Sequence, residues 1–173
     1  IWLGTERIGL VKFHVPSNTF TKLFADPNFP KDWDPTVPIT TLLATNGGIL
    51  WVGTGGRGVY RLEHNNGDHI FTQFALKQGL SGNYVYGLQQ DQAGNIWIAT
   101  NRGLTRLKSG SMEMKNYSHN DGIGDLQFHP KVGFMDHTGT LYFGGKKEIL
   151  SFDPIDNTNP TRPIVLIQGF NLE

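Results

Sequence analysis

Six histidines, fifteen acidic residues and one glycine-rich run are the parts of this 173-residue sequence that could do chemistry. None of the histidines is paired with another at metal-ligand spacing. The one local cluster, His119 and His129 bracketing Asp121 and Asp125, fits a polar loop better than a zinc site. Gly53-Thr54-Gly55-Gly56-Arg57-Gly58 has the composition of a phosphate cradle. It joins one strand pattern to another, however, with no helix N-terminus behind it to hold an anion. Asp91-Gln92-Ala93-Gly94-Asn95 lacks the carboxylate spacing of a calcium loop and reads as a turn in which Asp91 bonds backbone amides. There is no nucleophile-elbow serine. With no cysteine, thiolate nucleophiles, thiolate metal sites and disulfides are excluded together. The reading is of a chain without catalytic residues, metal or cofactor.

The overall charge points the same way. Fifteen basic and fifteen acidic residues give a formal net charge of zero, so the chain carries no electrostatic footprint for nucleic acid. No apolar run approaches the roughly 20 residues of a membrane span. No signal peptide precedes Ile1, and the chain starts inside a strand pattern without a Met, as a piece of a longer protein would.

Whatever these residues do, a repeat must position them. Gly94-Asn95-Ile96-Trp97-Ile98-Ala99-Thr100 running on through Gly103-Leu104-Thr105-Arg106-Leu107 reads as turn, strand, tight turn and strand. The same pattern recurs around Trp2, Trp51 and Tyr142, at separations of 49, 46 and 45 residues. A period near that length, with several short strands per unit, specifies a β-propeller blade. Glycine, at 22 residues, exceeds the usual share of about 7% and sits in the turns that such hairpins need. Two residues after each aromatic stands Gly4, Gly53, Ala99 or Gly144, on the same face of the strand. A ring beside a missing side chain suits a sheet packed on a copy of itself, and predicts Trp51 and Trp97 buried between blades.

The expected fold is therefore all-β, a β-propeller fragment of two complete four-stranded blades and two partial ones. Residues 1–153 hold the blades, at about 1–24, 39–74, 84–118 and 126–152. In the first, the strands are 1–5, 9–13 and 19–24; in the last, 126–135, 141–145 and 149–152. Residues 154–173 read as a proline-rich linker and the first strand of a following domain, with Ile164-Val165-Leu166-Ile167 as that strand.

Connectivity sorts the loops. In an up-and-down blade, the link to the next blade and the turn between second and third strands lie at one end. That end collects 5–8, the long loop 25–38, 55–57, 79–83, 101–102 and 119–125. Trp33, in the irregular proline-rich loop, either tucks onto the first blade or offers a ligand an apolar platform. Arg7, Arg57, Arg102, Asp32 and Asp121 offer donors and acceptors for a polar ligand, or solvate a rim.

The pattern resembles the two-component-regulator propeller repeats. Gln78-Gly79-Leu80-Ser81, Asp91 to Asn95 and Ile96 to Leu107 follow that unit almost throughout, while Leu126 to Pro130 with Thr140 to Gly145 and Phe152-Asp153-Pro154 resemble a last repeat. Pro163 to Ile167 with Phe170-Asn171-Leu172 resembles the start of the tyrosine-motif immunoglobulin-like domain that follows such propellers. The resemblance implies a periplasmic sensor segment of a hybrid two-component protein, a membrane histidine kinase joined to its response regulator. It also implies an oligosaccharide ligand in the intact sensor, the remaining propeller blades as partners, and self-association. Ligand candidates are then Arg7, Asp32, Trp33, Arg57, Arg102 and Asp121. Two other classes stay open. A propeller lyase or hydrolase would need a His–Glu or Arg–His–Tyr cluster on one rim. A protein-interaction propeller of the tryptophan–aspartate type would need Trp-Asp dipeptides, whereas each Trp of the repeat precedes Leu, Val or Ile.

Overall fold

Each aromatic of the repeat sits on a strand of its own antiparallel sheet. The computed structural model describes the chain except residues 32, 35, 66–67, 124–126, 132, 147, 155–164 and 169–173, with backbone alone for Phe24 and residues 165–168. The first sheet holds β1 (Trp2–Gly4), β2 (Leu10–His14) and β3 (Thr19–Lys22). The second holds β4 (Ile39–Ala44), β5 (Leu50–Thr54), β6 (Val59–Asn65) and β7 (Asp68–Phe74). The third holds β8 (Val85–Gln90), β9 (Ile96–Thr100), β10 (Gly103–Leu107) and β11 (Met114–Tyr117). The fourth holds β12 (Phe134–Met135), β13 (Leu141–Gly144), β14 (Glu148–Phe152) and β15 (Val165–Gln168). Neighbouring strands in each sheet follow chain order, the up-and-down topology of propeller blades.

Side-chain alternation explains why these strands are apolar on both faces. Trp51 turns toward the third sheet and packs with Val85, Leu88, Ile96 and Ile98, while its neighbour Val52 turns back to pack with Leu10 and Ile39. One blade on, Trp97 turns toward the fourth sheet and meets Leu141, Phe143 and Leu150. Trp51 and Trp97 are each 3% exposed, as the repeat predicts. The hollow beside the ring is equally specific. A Cβ on Gly53 would lie 2.5 Å from Thr41 Cγ2 and 2.8 Å from Val85 Cγ1, and one on Gly4 would lie 2.5 Å from Ile39 Cγ2. The small residue admits the first strand of the next blade.

The basic residue of the repeat is part of the same packing. Across each hairpin the aromatic faces Lys12, Arg61 or Arg106. The Lys12 ammonium lies 5.3 Å from the Trp2 ring centroid, and the two guanidinium carbons lie 6.0 Å from Trp51 and Trp97, cation–π contacts in the sense of a cross-strand pair. In the fourth sheet the partner of Tyr142 is Ser151, and the cation is missing.

The threonine that ends the second strand closes the turn after it. Thr5, Thr54 and Thr100 donate from Oγ1 to the carbonyls of Gly9, Gly58 and Gly103 at 2.7–3.1 Å, and accept the N–H of Ile8, Arg57 and Arg102 in return. Gly58 and Gly103 have φ of +75° and +123°, and a Cβ on either would strike the carbonyl oxygen of Phe74 or Tyr117. Only glycine fits there.

Links between blades are built alike. Short 3-10 turns at Leu76–Gln78 and His119–Asp121 end in left-handed Gly79 and Gly122, and each is followed by a buried aliphatic, Leu80 or Ile123. Ser81 Oγ then lies 2.9 Å from Thr100 Oγ1 and 2.8 Å from Thr105 Oγ1. Asn116 accepts from Thr105 and donates to the Gly79 carbonyl, completing a polar network that ties the link to its own blade.

Three expectations need correction. The long strand over 126–135 is reduced to Phe134–Met135 and a lone bridge from Phe128 to Gly145. Pro130 has no N–H to give to a ladder, and Lys131 adopts a φ of +64°. The strand over 164–167, expected to open another domain, appears as Val165–Gln168 paired with β14, so the fourth sheet has four strands where a partial blade was expected. The hairpin of the second sheet runs on to Asn65 and Asp68, beyond the expected ends at Leu62 and Ile70.

Candidate functional site

The loops expected at one end are hydrogen-bonded into one surface. Ile39 N–H donates to the Thr5 carbonyl at 3.0 Å, and Gly55 N–H to the Pro38 carbonyl at 2.9 Å. Gly58 N–H donates to the Asn83 carbonyl at 2.8 Å, and Gly55 bridges Tyr84. Asn101 N–H donates to the Tyr84 carbonyl at 3.0 Å, while Asn101 Oδ1 accepts the Tyr84 N–H at 3.2 Å. Tyr84 thus sits between the turn carrying Arg57 and the turn carrying Arg102.

Each turn between second and third strands carries a cation: Arg7, Arg57, Arg102 and, in the fourth sheet, Lys146. Arg7, Arg102 and Lys146 are exposed, and Arg57 is half-buried. The Arg57 carbonyl accepts from Gln73 Nε2 at 3.0 Å. Opposite it, Asp34 is held below its ordinary pKa by the hydroxyl and N–H of Thr36, against a smaller effect of burial, with the Arg57 charge adding to the shift.

Other candidates turn out to be occupied with structure. Trp33 is half-buried between the first two sheets, with its ring 4.9 Å from Tyr60 and 5.2 Å from Phe29, and its indole nitrogen against Gly9. The ring packs on the core that the first two sheets share. Asp121 accepts the N–H and hydroxyl of Ser118 at 2.8 and 3.1 Å and so caps its 3-10 turn. Asp32 lies outside the described residues. Among the described residues, no group of three or more His, Cys, Asp or Glu could hold a metal ion.

Two features at this end escaped the sequence reading. The first strands of the second and third sheets each carry a bulge just after they start, between Ile39 and Thr41 and between Val85 and Gly87. The bulged residues are Thr40 and Tyr86, and a bulge re-aims its side chain out of the ladder's alternation. Tyr86 lies beside Tyr84, ring centroids 4.8 Å apart and planes tilted by 40°, both residues half-buried, and Tyr86 packs on the core between the third and fourth sheets. In sequence Tyr84 and Tyr86 are merely two alternating strand residues, and nothing there marks a bulge.

Away from this end, the loop 25–38 is tied to the second blade by Asp26, whose carboxylate lies 2.5 Å from His69 Nδ1. Burial opposes ionisation of Asp26, but the bonds from His69 and the Asn28 N–H outweigh it and hold its pKa below the ordinary value.

Comparison with known proteins agrees with the repeat. Residues 79–102 match the two component regulator propeller family model. Histidine kinase P4 of Formosa agariphila is 23% identical over the whole of this chain, which spans 12% of that protein. The extracellular domain of the hybrid two component system BT4673 of B. thetaiotaomicron superposes with a TM-score of 0.71 at 16% identity, covering 96% of this chain and 22% of that one. A streptogramin B lyase superposes with a TM-score of 0.67 at 17% identity, covering 96% of this chain and 49% of that one. The four sheets are blades of a β-propeller, and the repeat at residues 79–102 matches that of two component regulator propellers.

Proposed function

We propose that this chain is an extracytoplasmic sensor segment of a hybrid two-component signalling protein, placed in the periplasm, that recognises an oligosaccharide and relays binding to a kinase outside the chain. The observation that carries the reading is the family match over Gly79 to Arg102, whose residues are the ones that build the link, the inner strand and the cation-bearing turn of the third blade. Likeness to the extracellular domain of a hybrid two component system supports it at the level of fold. The ligand meets the end that gathers the cationic turns. There Arg7, Arg57 and Arg102 supply donors from a rigid scaffold, the usual source of binding loops.

The partners in this reading are further blades. The residue after the repeat aromatic is 2% exposed in Val52 and 0% in Ile98 and Phe143, each covered by the preceding sheet, but 40% exposed in Leu3. The first sheet therefore presents a receiving face of the kind that three neighbours fill, and a blade of the intact sensor is its occupant.

Thermal melting of the protein with defined tetrasaccharides tests the reading, since a ligand that binds only the folded state raises Tm. A rise with at least one sugar, reduced in Arg57→Ala and Arg102→Ala variants that fold normally, is the expected result. No rise with any sugar, or one that both substitutions leave intact, would sink it.

A further inference from the structure

Resting on the blade reading and not on the sugar, we infer that copies of this chain join end to end. The aromatic face of the fourth sheet in one copy docks on the receiving face of the first sheet in the next. The chain itself shows what such a joint looks like, because each of its hydrophobic clusters is one. Leu10 of the first sheet shares a cluster with Ile39 and Val52 of the second. Trp51 shares one with Ile96 and Ile98 of the third, and Trp97 one with Leu141 and Phe143 of the fourth. In every joint the face that carries the repeat aromatic meets the opposite face of the following sheet. Among the described residues, two faces are left without such a mate, one of each kind.

The aromatic face of the fourth sheet is made for a joint that the chain does not supply. Phe134 stands across from Tyr142 as Leu43 does from Trp51 and Gln89 from Trp97. Leu43 is packed into its joint, and Gln89 donates to the Gly133 carbonyl in the segment that enters the fourth sheet. Phe134, with its ring 6.2 Å from Tyr142, is 63% exposed. Gly144 repeats the small residue of Gly53 and Ala99, the hollow that admits the first strand of a following blade. Covering this face costs little in polar groups. Asp136 already accepts the Tyr142 hydroxyl, and Ser151 stands where Arg61 and Arg106 face the earlier rings, so no guanidinium has to lose its water.

The mate is at the other end of the chain. Ile1 and Leu3 lie on the receiving face of the first sheet, with Phe20 beside them across from Phe13. All three are exposed, Ile1 to 66% and Phe20 to 65%. A second copy therefore brings the kind of face that each end needs, whereas like-to-like pairing would make a contact that no joint of the chain contains. Such a contact is heterologous, so it leaves one free face of each kind after every addition. Copies then add on until the array closes into a ring or runs on as a chain.

Sedimentation velocity of the whole chain and of two face-blocked variants tests this. Leu3→Glu with Phe20→Glu blocks the receiving face. Phe134→Glu with Ile149→Glu blocks the aromatic face, where Ile149 lies two residues from Ser151. If the double variant fails to fold by circular dichroism, Phe134→Glu alone replaces it. The expected result is assembly of wild type beyond the dimer, with each variant alone a monomer. An equal mixture of the two should form a one-to-one dimer, at least tenfold tighter than either variant with itself. Self-association of the Phe134→Glu variant at wild-type strength would mean that receiving faces pair with each other, and would overturn the inference. So would a mixture that stays monomeric. Wild type monomeric at all concentrations would overturn the second copy as occupant and leave both faces to further blades of the intact sensor. None of these outcomes bears on the sugar-induced rise in Tm, whose absence would in turn leave the assembly standing.

Discussion

The Asp91 carboxylate accepts the indole N–H of Trp97 at 2.9 Å, six residues along and in a buried site, and so fixes the orientation of the ring on which the third blade is packed. The same oxygen pair accepts the N–H of Asn95 and its side-chain amide, each at 2.8 Å. One blade later Asp136 accepts the Tyr142 hydroxyl at 3.0 Å across the same interval. The aspartate of the repeat is thus an aromatic anchor as well as a turn former.

Asp91→Ala should therefore cost more than a turn residue ordinarily does. It leaves the buried indole N–H and two further donors without an acceptor, a loss on the order of 3 kcal/mol. Asp91→Asn keeps one acceptor but aims an amide at a donor, so it should fall between the two. Urea midpoints of the two variants check this, and parity of Asp91→Ala with wild type would refute the anchoring role.

Acid should weaken the fold through a small set of carboxylates. Hydroxyl bonding from Thr138 lowers Asp136 from 3.8 to about 2, against a smaller effect of burial, with the Tyr142 hydroxyl and two backbone N–H groups helping. Asp26 and Asp34 are lowered as well. Groups depressed in the folded state stabilise it fully above their unfolded pKa and lose that contribution as pH falls through the folded one. Stability should hold down to about pH 4 and decline toward about pH 2. Asp136→Asn should flatten part of that decline, and denaturation midpoints across the range would show it. An unchanged acid slope would mean that Asp136 is not among the groups responsible.

The ring and the hollow beside it should be sensitive in opposite senses of volume. Trp97→Ala empties a buried site and should cost about 3–5 kcal/mol. Gly53→Ala adds a methyl where Thr41 and Val85 leave no room, and should cost about 1–3 kcal/mol. Differential scanning calorimetry would record both, and a Gly53→Ala protein as stable as wild type would show that the blades can slide apart at no cost.

The open face of the first sheet should make copies of the chain associate when no further blade covers it. Leu3 is 40% and Phe20 65% exposed there, and Phe20 lies 4.7 Å from Phe13, so the patch is contiguous. Sedimentation at rising concentration should show assembly that Leu3→Glu with Phe20→Glu suppresses. A monomer at all concentrations would count against it.

Much of this was legible in the sequence because the signals are periodic. Trp51, Gly53 and Thr54 recur with the spacing that a blade imposes, so one physical argument serves several positions. Chain order also sorted the loops by end, and Gly55, Tyr84 and Asn101 are found together as that order requires. What stayed hidden carries no such signature in residue type. The bulge at Tyr86 is one residue of extra backbone with no residue type to announce it. The packing of Trp33 depends on the core that the first two sheets share, and the breakdown of the strand over 126–135 depends on how one proline falls in its ladder.

The matched repeat, residues 79–102, is out of step with the blade it helps to build. It opens on the link before β8 and closes at the turn after β9, so it carries Leu80 and Val85, which pack against the preceding sheet, but not β10 or β11. A duplication in this phase would deliver each new copy with its own docking contacts to the older one already attached. Arrays could then lengthen by inheritance of one segment, without two surfaces having to evolve toward each other.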